Sequence, residues 1–410
     1  MIKSITSVRV TGRRVILRAG FDVPLKQNIH TEEWEVADDN RVKDILPTLR
    51  YLIKQGAKIV IIAHLDRPEG WKKAKSLWPV AVKLAELVDY KLVRIVSKFS
   101  GYKVPTINFL PADIRKKDYS GLSRDLPAGS ILFLENLRFY KEEEENDLKF
   151  IDLLAGFGDV YANEAFSVAH RQEASTFGLA KKLPAYAGIS FMKELRSLSK
   201  ITKNPRPPLV ILIGGIKIED KVHTIHNLAK HASNIIVGGG VANTFLKALG
   251  YEVGRSKISD VPAARDLLRH YKQKLVMPVD VVVATDLKAR PRLVNIDKVR
   301  PNDLMLDIGP ESIRKFSALI KLARSLAWNG PFGLIEDPRY RFGSKAIALT
   351  FASRSKGPAF GVVGGGETVE VLDQAKVSQF IDHVSTGGGA MLEFLAGKPL
   401  PAIKALETSK

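Results

Sequence analysis

Basic side chains in the first half of the sequence follow short apolar runs or lie in short polar segments. Arginine presents a planar fork of donors that grips phosphate or carboxylate with two parallel hydrogen bonds. One such residue alone is more often a partner in a surface ion pair. Seven of them in this pattern predict a site for a small acidic, phosphorylated molecule. They are Arg18, Arg41, His64, Arg67, Arg138, His170 and Arg171.

Glycine clusters follow apolar runs in the second half. Glycine lets the backbone turn sharply and lets a ligand approach closely, and a helix that starts there offers free N–H groups to an anion. No cluster has the GxxxxGK[ST] or the GxGxxG spacing, which disfavours a P-loop or a standard dinucleotide site. Lys217 and Lys221 follow the first cluster and can reach an anion or lie on the surface. The clusters are at residues 214–215, 238–240, 364–366 and 385–389.

Short apolar runs alternate with segments of helical period at residues 42–55 and 79–88. This alternation predicts parallel sheets covered by helices, with ligands at the carboxyl ends of the strands. The predicted fold class is α/β, with two Rossmann-like lobes joined by a hinge helix. The predicted strands are residues 15–17, 58–63, 92–96, 131–134, 209–213, 234–237, 279–284 and 359–363, and a further apolar run precedes the last glycine cluster at 380–384.

The domain boundary is predicted near residues 192–201, a charged helix that is followed by Pro205, Pro207 and Pro208. Prolines stop a helix and stiffen the connection after it. The predicted parts are a first lobe at residues 1–188, a hinge helix at 189–204, a second lobe at 205–390 and a tail at 391–410 that returns to the first lobe. The acidic run at residues 142–145 predicts a solvated helix start.

Composition narrows the chemistry further. The 410 residues include no cysteine, which excludes disulfides, thiolate nucleophiles and cysteine-ligated zinc. The 63 basic against 44 acidic residues give a net charge of +19, which suits nucleic acid, phosphorylated metabolites or merely a basic solvated surface. No apolar segment has the length of a membrane span or a signal peptide, so we expect a cytoplasmic protein.

Twelve motifs between Arg18 and Pro401 resemble those of phosphoglycerate kinase in order and spacing. The resemblance implies reversible phosphoryl transfer between 1,3-bisphosphoglycerate with ADP and 3-phosphoglycerate with ATP, with Mg²⁺ as cofactor. It also implies a monomer with small-molecule substrates and neither a nucleic-acid nor a membrane partner. The motifs are RAGFDVPL, DDNRV, HLDRP, LENLRF, NEAFSVAHRQEAS, LIGGIKIEDK, VGGGVANTFL, MPVDVVVA, DIGP, WNGPFGLIE, GGGET and HVSTGGGAMLEFLAGKPLP.

The same resemblance implies a role for each matching residue. Lys217 and Arg41 are catalytic, Lys217 stabilising the phosphoryl group in flight, and Glu367 binds magnesium. The phosphoglycerate-binding residues are Gly20, Phe21, Asp22, Arg41, His64, Leu65, Asp66, Arg67, Arg138 and Arg171. The nucleotide-binding residues are Lys217, Lys221, Gly238, Gly239, Asn329, Pro331, Glu336, Gly365, Gly366, Glu367 and Thr368.

Five positions depart from the family's usual pattern. Gly20 replaces the aspartate that contacts the substrate 2-hydroxyl, and Asp22 replaces an asparagine. Asp66 replaces a glycine, while Glu164 and Glu367 each replace an aspartate. These departures leave open a divergent homologue that binds nucleotide with weak or altered catalysis. The high positive charge leaves open a nucleic-acid binder, although the aromatic stacking platform typical of single-strand binding is missing from these motifs.

Overall fold

The computed structural model describes residues 2–29, 31–96 and 105–409. The chain divides into two compact units, the first comprising Met1–Lys193 with Pro399–Lys410 and the second Glu194–Lys398. Within the described ranges, no helix combines the length and apolar character that crossing a membrane requires.

Strands and helices alternate along most of the chain. The strands are β1 (Arg14–Arg18), β2 (Leu25–Gln27), β3 (Trp34–Val36), β4 (Lys58–Ile62), β5 (Lys91–Arg94), β6 (Thr106–Leu110), β7 (Ile131–Leu134), β8 (Val160–Asn163), β9 (Ala185–Ala187), β10 (Leu209–Ile213), β11 (Ala232–Val237), β12 (Leu275–Val276), β13 (Asp280–Ala284), β14 (Arg292–Asn295), β15 (Leu304–Ile308), β16 (Ser325–Asn329), β17 (Phe360–Gly364) and β18 (His383–Ser385). The α-helices are α1 (Asn40–Asp44), α2 (Leu46–Lys54), α3 (Trp78–Val88), α4 (Ser120–Asp125), α5 (Lys141–Glu144), α6 (Leu148–Ala155), α7 (Leu179–Lys182), α8 (Ile189–Thr202), α9 (Val222–Ala229), α10 (Gly239–Ala248), α11 (Val261–Tyr271), α12 (Pro310–Leu322), α13 (Phe342–Lys356), α14 (Gly366–Gln374), α15 (Gly388–Leu395) and α16 (Pro401–Thr408).

The first unit is built on a seven-stranded sheet in the order β5-β6-β7-β4-β1-β8-β9. All of its paired strands are parallel, and the central strand β1 pairs with β4 and β8, so that Val15 lies beside Ile59 and Val160. All three of these side chains are fully buried. Continuous apolar runs are typical of such strands because helices cover both faces of a parallel sheet. The prediction of an α/β first lobe is therefore confirmed.

The second unit contains a six-stranded parallel sheet in the order β12-β11-β10-β16-β17-β18, which confirms the predicted fold class there as well. A separate three-stranded sheet, β14-β13-β15, is antiparallel. The apolar run at residues 279–284 forms β13 of this smaller sheet, so its predicted place in a parallel sheet is wrong. A continuous apolar run does not distinguish a parallel neighbour from an antiparallel one.

Three local predictions need correction. The helix expected at residues 42–55 is two helices, α1 and α2, and a proline lies in the first turn of α2, where its missing N–H costs nothing. The strand expected at 380–384 begins only at His383, because Phe380 ends a 3-10 helix. The acidic run does start a helix, α5, but Glu143 within it is fully buried rather than solvated.

Candidate active site

Four basic side chains lie after four adjacent strands of the first sheet. Arg18 is the last residue of β1, and His64 lies two residues after β4. Arg138 lies in the 3-10 helix that follows β7, and Arg171 follows β8. The order β7-β4-β1-β8 makes these strands neighbours, and the carboxyl ends of parallel strands share one edge of a sheet. The sheet therefore brings the four residues to one place.

Hydrogen bonds and ion pairs connect this basic cluster, which we define as Arg18, His64, Arg138 and Arg171. Arg18 Nη2 lies 2.9 Å from His64 Nδ1. The buried carboxylate of Glu173 accepts hydrogen bonds from Arg138 and, at 3.3 Å, from Arg171. Burial, then the positive charges of Arg18, Arg138, Arg171 and Arg41, hold the pKa of His64 well below its ordinary value. These four arginines therefore all lie close enough to His64 to disfavour a positive charge on its imidazole.

Arg41 and two aspartates lie at the exposed side of this cluster. Arg41 donates to the carbonyl of Asp22 and lies 3.7 Å from its carboxylate. The N–H of Asp66 donates to Asp22 Oδ1 at 2.8 Å, while Lys75 pairs with the Asp66 carboxylate at 2.5 Å. That hydrogen bond from Lys75 lowers the pKa of Asp66. The carboxylates of Asp22 and Asp66 are thus each beside a cation. The backbone N–H of the exposed Arg67 also donates to Asp66 Oδ1.

The backbone explains two of the other predicted positions. Asp66 has a φ of 58°, in the left-handed region that glycine adopts most easily, which fits the glycine usual in the motif it resembles. Phe21 and Leu65 are buried, and the Phe21 ring lies 5.8 Å from that of Phe133. Their side chains hold the loops in place, so only their backbone and that of Gly20 are available for a ligand.

In the second unit the glycine loops of adjacent strands are joined by hydrogen bonds. Gly215 N donates to Pro331 O at 2.8 Å, and Gly330 N donates to Thr368 Oγ1 at 2.7 Å. The amide of Asn329 donates to the carbonyl of Gly364 at 2.8 Å. Asn329 and Thr368 thus connect the loops after β16 and β17. Gly238, Gly365 and Gly366 lie in the same set of loops, after β11 and β17.

A cavity of about 250 Å³ opens beside these loops. Of the eleven predicted nucleotide-binding residues, Gly239, Pro331, Glu336 and Glu367 line it. Much of the remaining wall is apolar and comes from the antiparallel sheet and neighbouring loops, including Val281, Leu304, Met305, Leu306, Phe332 and Leu334. Mostly apolar walls with a few polar groups are typical of a site for a flat organic ring.

The two predicted lysines differ in burial. Lys217 is exposed in the loop between β10 and α9. Lys221 is buried at the start of α9, and burial lowers its pKa although the charges of Asp220 and Glu367 oppose this. Lys221 therefore shares an electrostatic environment with Glu367, which lies in the first turn of α14.

Comparisons with known proteins agree with this geometry. The sequence profile of the phosphoglycerate kinase family matches residues 5–398. The chain belongs to the phosphoglycerate kinase family. A phosphoglycerate kinase from Pelotomaculum thermopropionicum is 40% identical over 412 residues, covering 98% of both chains. The fold is similar to the solved phosphoglycerate kinase structure from Coxiella burnetii, with 34% identity, a TM-score of 0.84 and coverage of 100% of both chains. It is also similar to the one from Pyrococcus horikoshii, with 28% identity, a TM-score of 0.81 and coverage of 100% of this chain and 99% of that one.

Membership of the phosphoglycerate kinase family confirms the enzyme class predicted from the motifs, a phosphotransferase. It also confirms small-molecule substrates, one of them a nucleotide. Nothing in these comparisons supports the alternative of a divergent homologue with altered catalysis.

Sequence reasoning missed several polar residues that hold the site of this phosphoglycerate kinase fold. The amide of Asn136 is fully buried, donates to Leu65 O at 2.8 Å and accepts from Arg138 N at 3.0 Å, so it joins two loops. Glu173 and Glu143 contact the basic cluster or its partners. All three lie within or next to the motifs LENLRF and NEAFSVAHRQEAS, which was a usable signal. Their contacts depend on folding and were not visible in the sequence.

The residues near the cavity fit a magnesium ion that is bound together with nucleotide. Among the described residues, no group of three or more His, Asp or Glu side chains is arranged to hold a metal. Magnesium is usually bound by one or two carboxylates plus substrate phosphates rather than by an all-protein cage. The exposed Glu367 carboxylate on the cavity wall suits that mode of binding.

Proposed function

We propose that this member of the family binds phosphoglycerate on the basic cluster of the first unit and nucleotide in the cavity of the second. The reaction moves a phosphoryl group reversibly between 1,3-bisphosphoglycerate with ADP and 3-phosphoglycerate with ATP. The observation that carries the proposal is the convergence of four basic side chains at the carboxyl end of one parallel sheet. Such a concentration of basic groups attracts anions.

The first unit offers complementary groups for a three-carbon acid phosphate. Arg138 pairs with both Glu144 and Glu173, whereas the partly exposed Arg171 gives one donor to Glu173 and keeps others for phosphate or carboxylate oxygens. Arg41 and the exposed Arg67 supply further cations, and His64 supplies a nitrogen. A substrate with an anion at each end fits a site with cations on several sides.

The second unit offers an apolar slot and an anion-binding rim for a nucleotide. The apolar wall at Val281, Leu304 and Leu306 suits an adenine ring. Glu336 suits the ribose hydroxyls, because a carboxylate accepts hydrogen bonds. Glycine loops and the start of α14 then face the phosphates, together with Lys221, because helix N-termini favour anions.

Phosphoryl transfer needs positioning and positive charge around the moving group more than covalent help. Lys217 supplies that charge, since its exposed ammonium is free of ion pairs among the described residues. Glu367 would hold the magnesium ion, which would supply positive charge to the nucleotide phosphates. No strong general base is required because the acyl phosphate is already activated.

A coupled assay with 3-phosphoglycerate and MgATP tests this proposal. We expect turnover in the wild type and a loss of about 10²–10³ in kcat for Lys217→Ala, which removes one charge from the transition state. Lys247→Ala, which removes an exposed lysine from the last turn of α10, is the matched control and should leave kcat unchanged. Arg41→Ala should raise KM for 3-phosphoglycerate. A wild type without turnover contradicts the proposal.

We also propose that the chain acts as a cytoplasmic monomer with Mg²⁺ as cofactor. Light scattering should give a mass near that of one chain, 45.3 kDa. A mass of twice this value in solution contradicts the monomer. The domain boundaries and the hinge at residues 189–204 stay predictions.

A further inference from the structure

A buried line of hydrogen bonds runs from His64 into the core of the first unit. Its members are His64, Arg18, Ser175 and Glu143, and each of these side chains is at most 1% exposed. Arg18 Nη2 lies 2.9 Å from His64 Nδ1, and Arg18 Nε donates to Ser175 Oγ at 2.7 Å. The Ser175 hydroxyl donates to one oxygen of Glu143, and the Ser175 N–H donates to the other at 3.0 Å. We call this line the His64 relay.

The chemistry of arginine fixes the direction of the two hydrogen bonds that Arg18 makes within the His64 relay. A guanidinium has five N–H donors and no acceptor, so His64 Nδ1 must accept and therefore carries no proton. The imidazole is then neutral, with its proton on Nε2. Among the described residues, Nε2 makes no hydrogen bond. Its N–H is free to donate to a ligand.

The other end of the relay holds the guanidinium in place. Ser175 accepts from Arg18, so its only hydroxyl proton points to Glu143. Arg18 Nη1 donates to the carbonyl of Ala19, and Tyr161 donates to the carbonyl of Ser175 at 2.8 Å. These contacts give Arg18 one orientation.

The charges around His64 agree with a neutral ring. Arg18, Arg41, Arg138 and Arg171 all disfavour a second proton on the imidazole, as does its burial. The nearby carboxylate of Glu173 is paired with Arg138 and Arg171 and lies 4.0 Å from Arg18 Nη2. Glu143 hydrogen-bonds to Ser175 rather than to the ring, and burial raises its pKa to about 7.

We propose that Arg18 is a positioning residue that holds His64 as a neutral imidazole and presents its Nε2–H to the phosphoglycerate. Ser175 and Glu143 support Arg18 in this role. The inference rests on the proposed substrate site. It assigns His64 the part of an uncharged hydrogen-bond donor among arginines, so that the charge of its ring does not change with pH near neutrality.

Nitrogen NMR of the histidine rings in the ligand-free wild type tests the tautomer directly. We expect the signals of His64, assigned by their loss in His64→Gln, to show a protonated Nε2 and an unprotonated Nδ1 from pH 5.5 to 8. A proton on Nδ1, or an imidazolium at pH 7, overturns the proposal.

Variants test the supporting residues. Ser175→Ala should let Arg18 move, mix the two His64 tautomers and raise KM for 3-phosphoglycerate about three- to tenfold, the worth of one hydrogen bond. KM for ATP should stay unchanged. Ser123→Ala is the matched control, because Ser123 is also a fully buried serine of the first unit and donates to Ser120 O. If Ser175→Ala keeps the ring signals and the KM for 3-phosphoglycerate of the wild type, the proposed relay is overturned.

Arg18→Met removes the donor to Nδ1 while keeping an apolar stem. We expect the pKa of His64 to rise towards its ordinary value and KM for 3-phosphoglycerate to become lower as the pH falls from about 7.5 to 5.5. If this variant does not fold, Ser175→Ala decides the question. The NMR result needs no turnover, so a failed kinase assay and a failed relay are distinguishable.

Discussion

At the scale of single residues, the structure shows what surrounds two positions that depart from the family pattern, Asp66 and Gly20. Asp66 adds a negative charge within an anion site, but Lys75 pairs with it at 2.5 Å. Gly20 lacks the carboxylate implied for contact with the substrate hydroxyl, and its φ lies outside the left-handed region. A Cβ at Gly20 would lie 3.5 Å from Ser167 Oγ and 3.6 Å from Ala165 Cα, which are ordinary contacts. The position therefore has room for a side chain.

We expect Gly20→Asp to lower KM for 3-phosphoglycerate about three- to tenfold, because the carboxylate adds one hydrogen bond to the substrate. The coupled kinase assay measures this. Gly20→Ala, which adds only the Cβ, should leave KM unchanged and serves as control. A higher KM in Gly20→Asp than in wild type would mean that Asp22 already occupies the place of the missing carboxylate.

At the scale of elements, Glu164 holds the start of helix α8. Its carboxylate accepts from Ser190 N at 3.1 Å, from Phe191 N at 2.7 Å and from the Thr48 hydroxyl. These N–H groups belong to the first turn, where a helix leaves its donors unpaired. A Cβ on Gly188 would come within 2.1 Å of the Glu164 carboxyl carbon, so the glycine makes room for this side chain.

The stability contributed by Glu164 should depend on pH. Burial raises its pKa from 4.5 to about 7, so the unfolded chain loses the proton at a lower pH than the folded chain does. The contribution is complete below about pH 4.5 and is lost as the pH rises through about 7. As the pH rises between these two values, the free energy of unfolding of the wild type should fall by up to about 3 kcal/mol relative to that of Glu164→Gln.

Urea unfolding of both proteins at several pH values measures this difference. Glu407→Gln removes an exposed carboxylate from α16 and is the matched control. A difference for Glu164→Gln that does not change with pH would show that the pKa of this carboxyl is the same in the folded and the unfolded protein, and would contradict the prediction.

At the scale of the whole molecule, composition predicts thermal stability. The chain has no cysteine, and among the described residues two arginines pair with two carboxylates each: Arg115 with Asp113 and Glu142, both at 2.9 Å, and Arg138 with Glu144 and Glu173. Networks of this kind gain importance at high temperature, because the cost of desolvating charges falls. We expect a Tm above about 60 °C, above most mesophilic domains, by differential scanning calorimetry. A Tm below that value contradicts the prediction.

The sequence by itself determined the α/β class, most strands and the basic and glycine-rich loops, because apolar runs and ordered motifs are local properties of the chain. The tertiary structure decided that residues 279–284 join an antiparallel sheet, that this sheet walls the cavity and that Glu143 is buried. It also decided the tautomer of His64, because Arg18, which donates to His64 Nδ1, is held by Ser175, 157 residues away in the sequence. Which distant residues come into contact depends on the packing of strands and loops, and short-range sequence patterns do not predict such contacts.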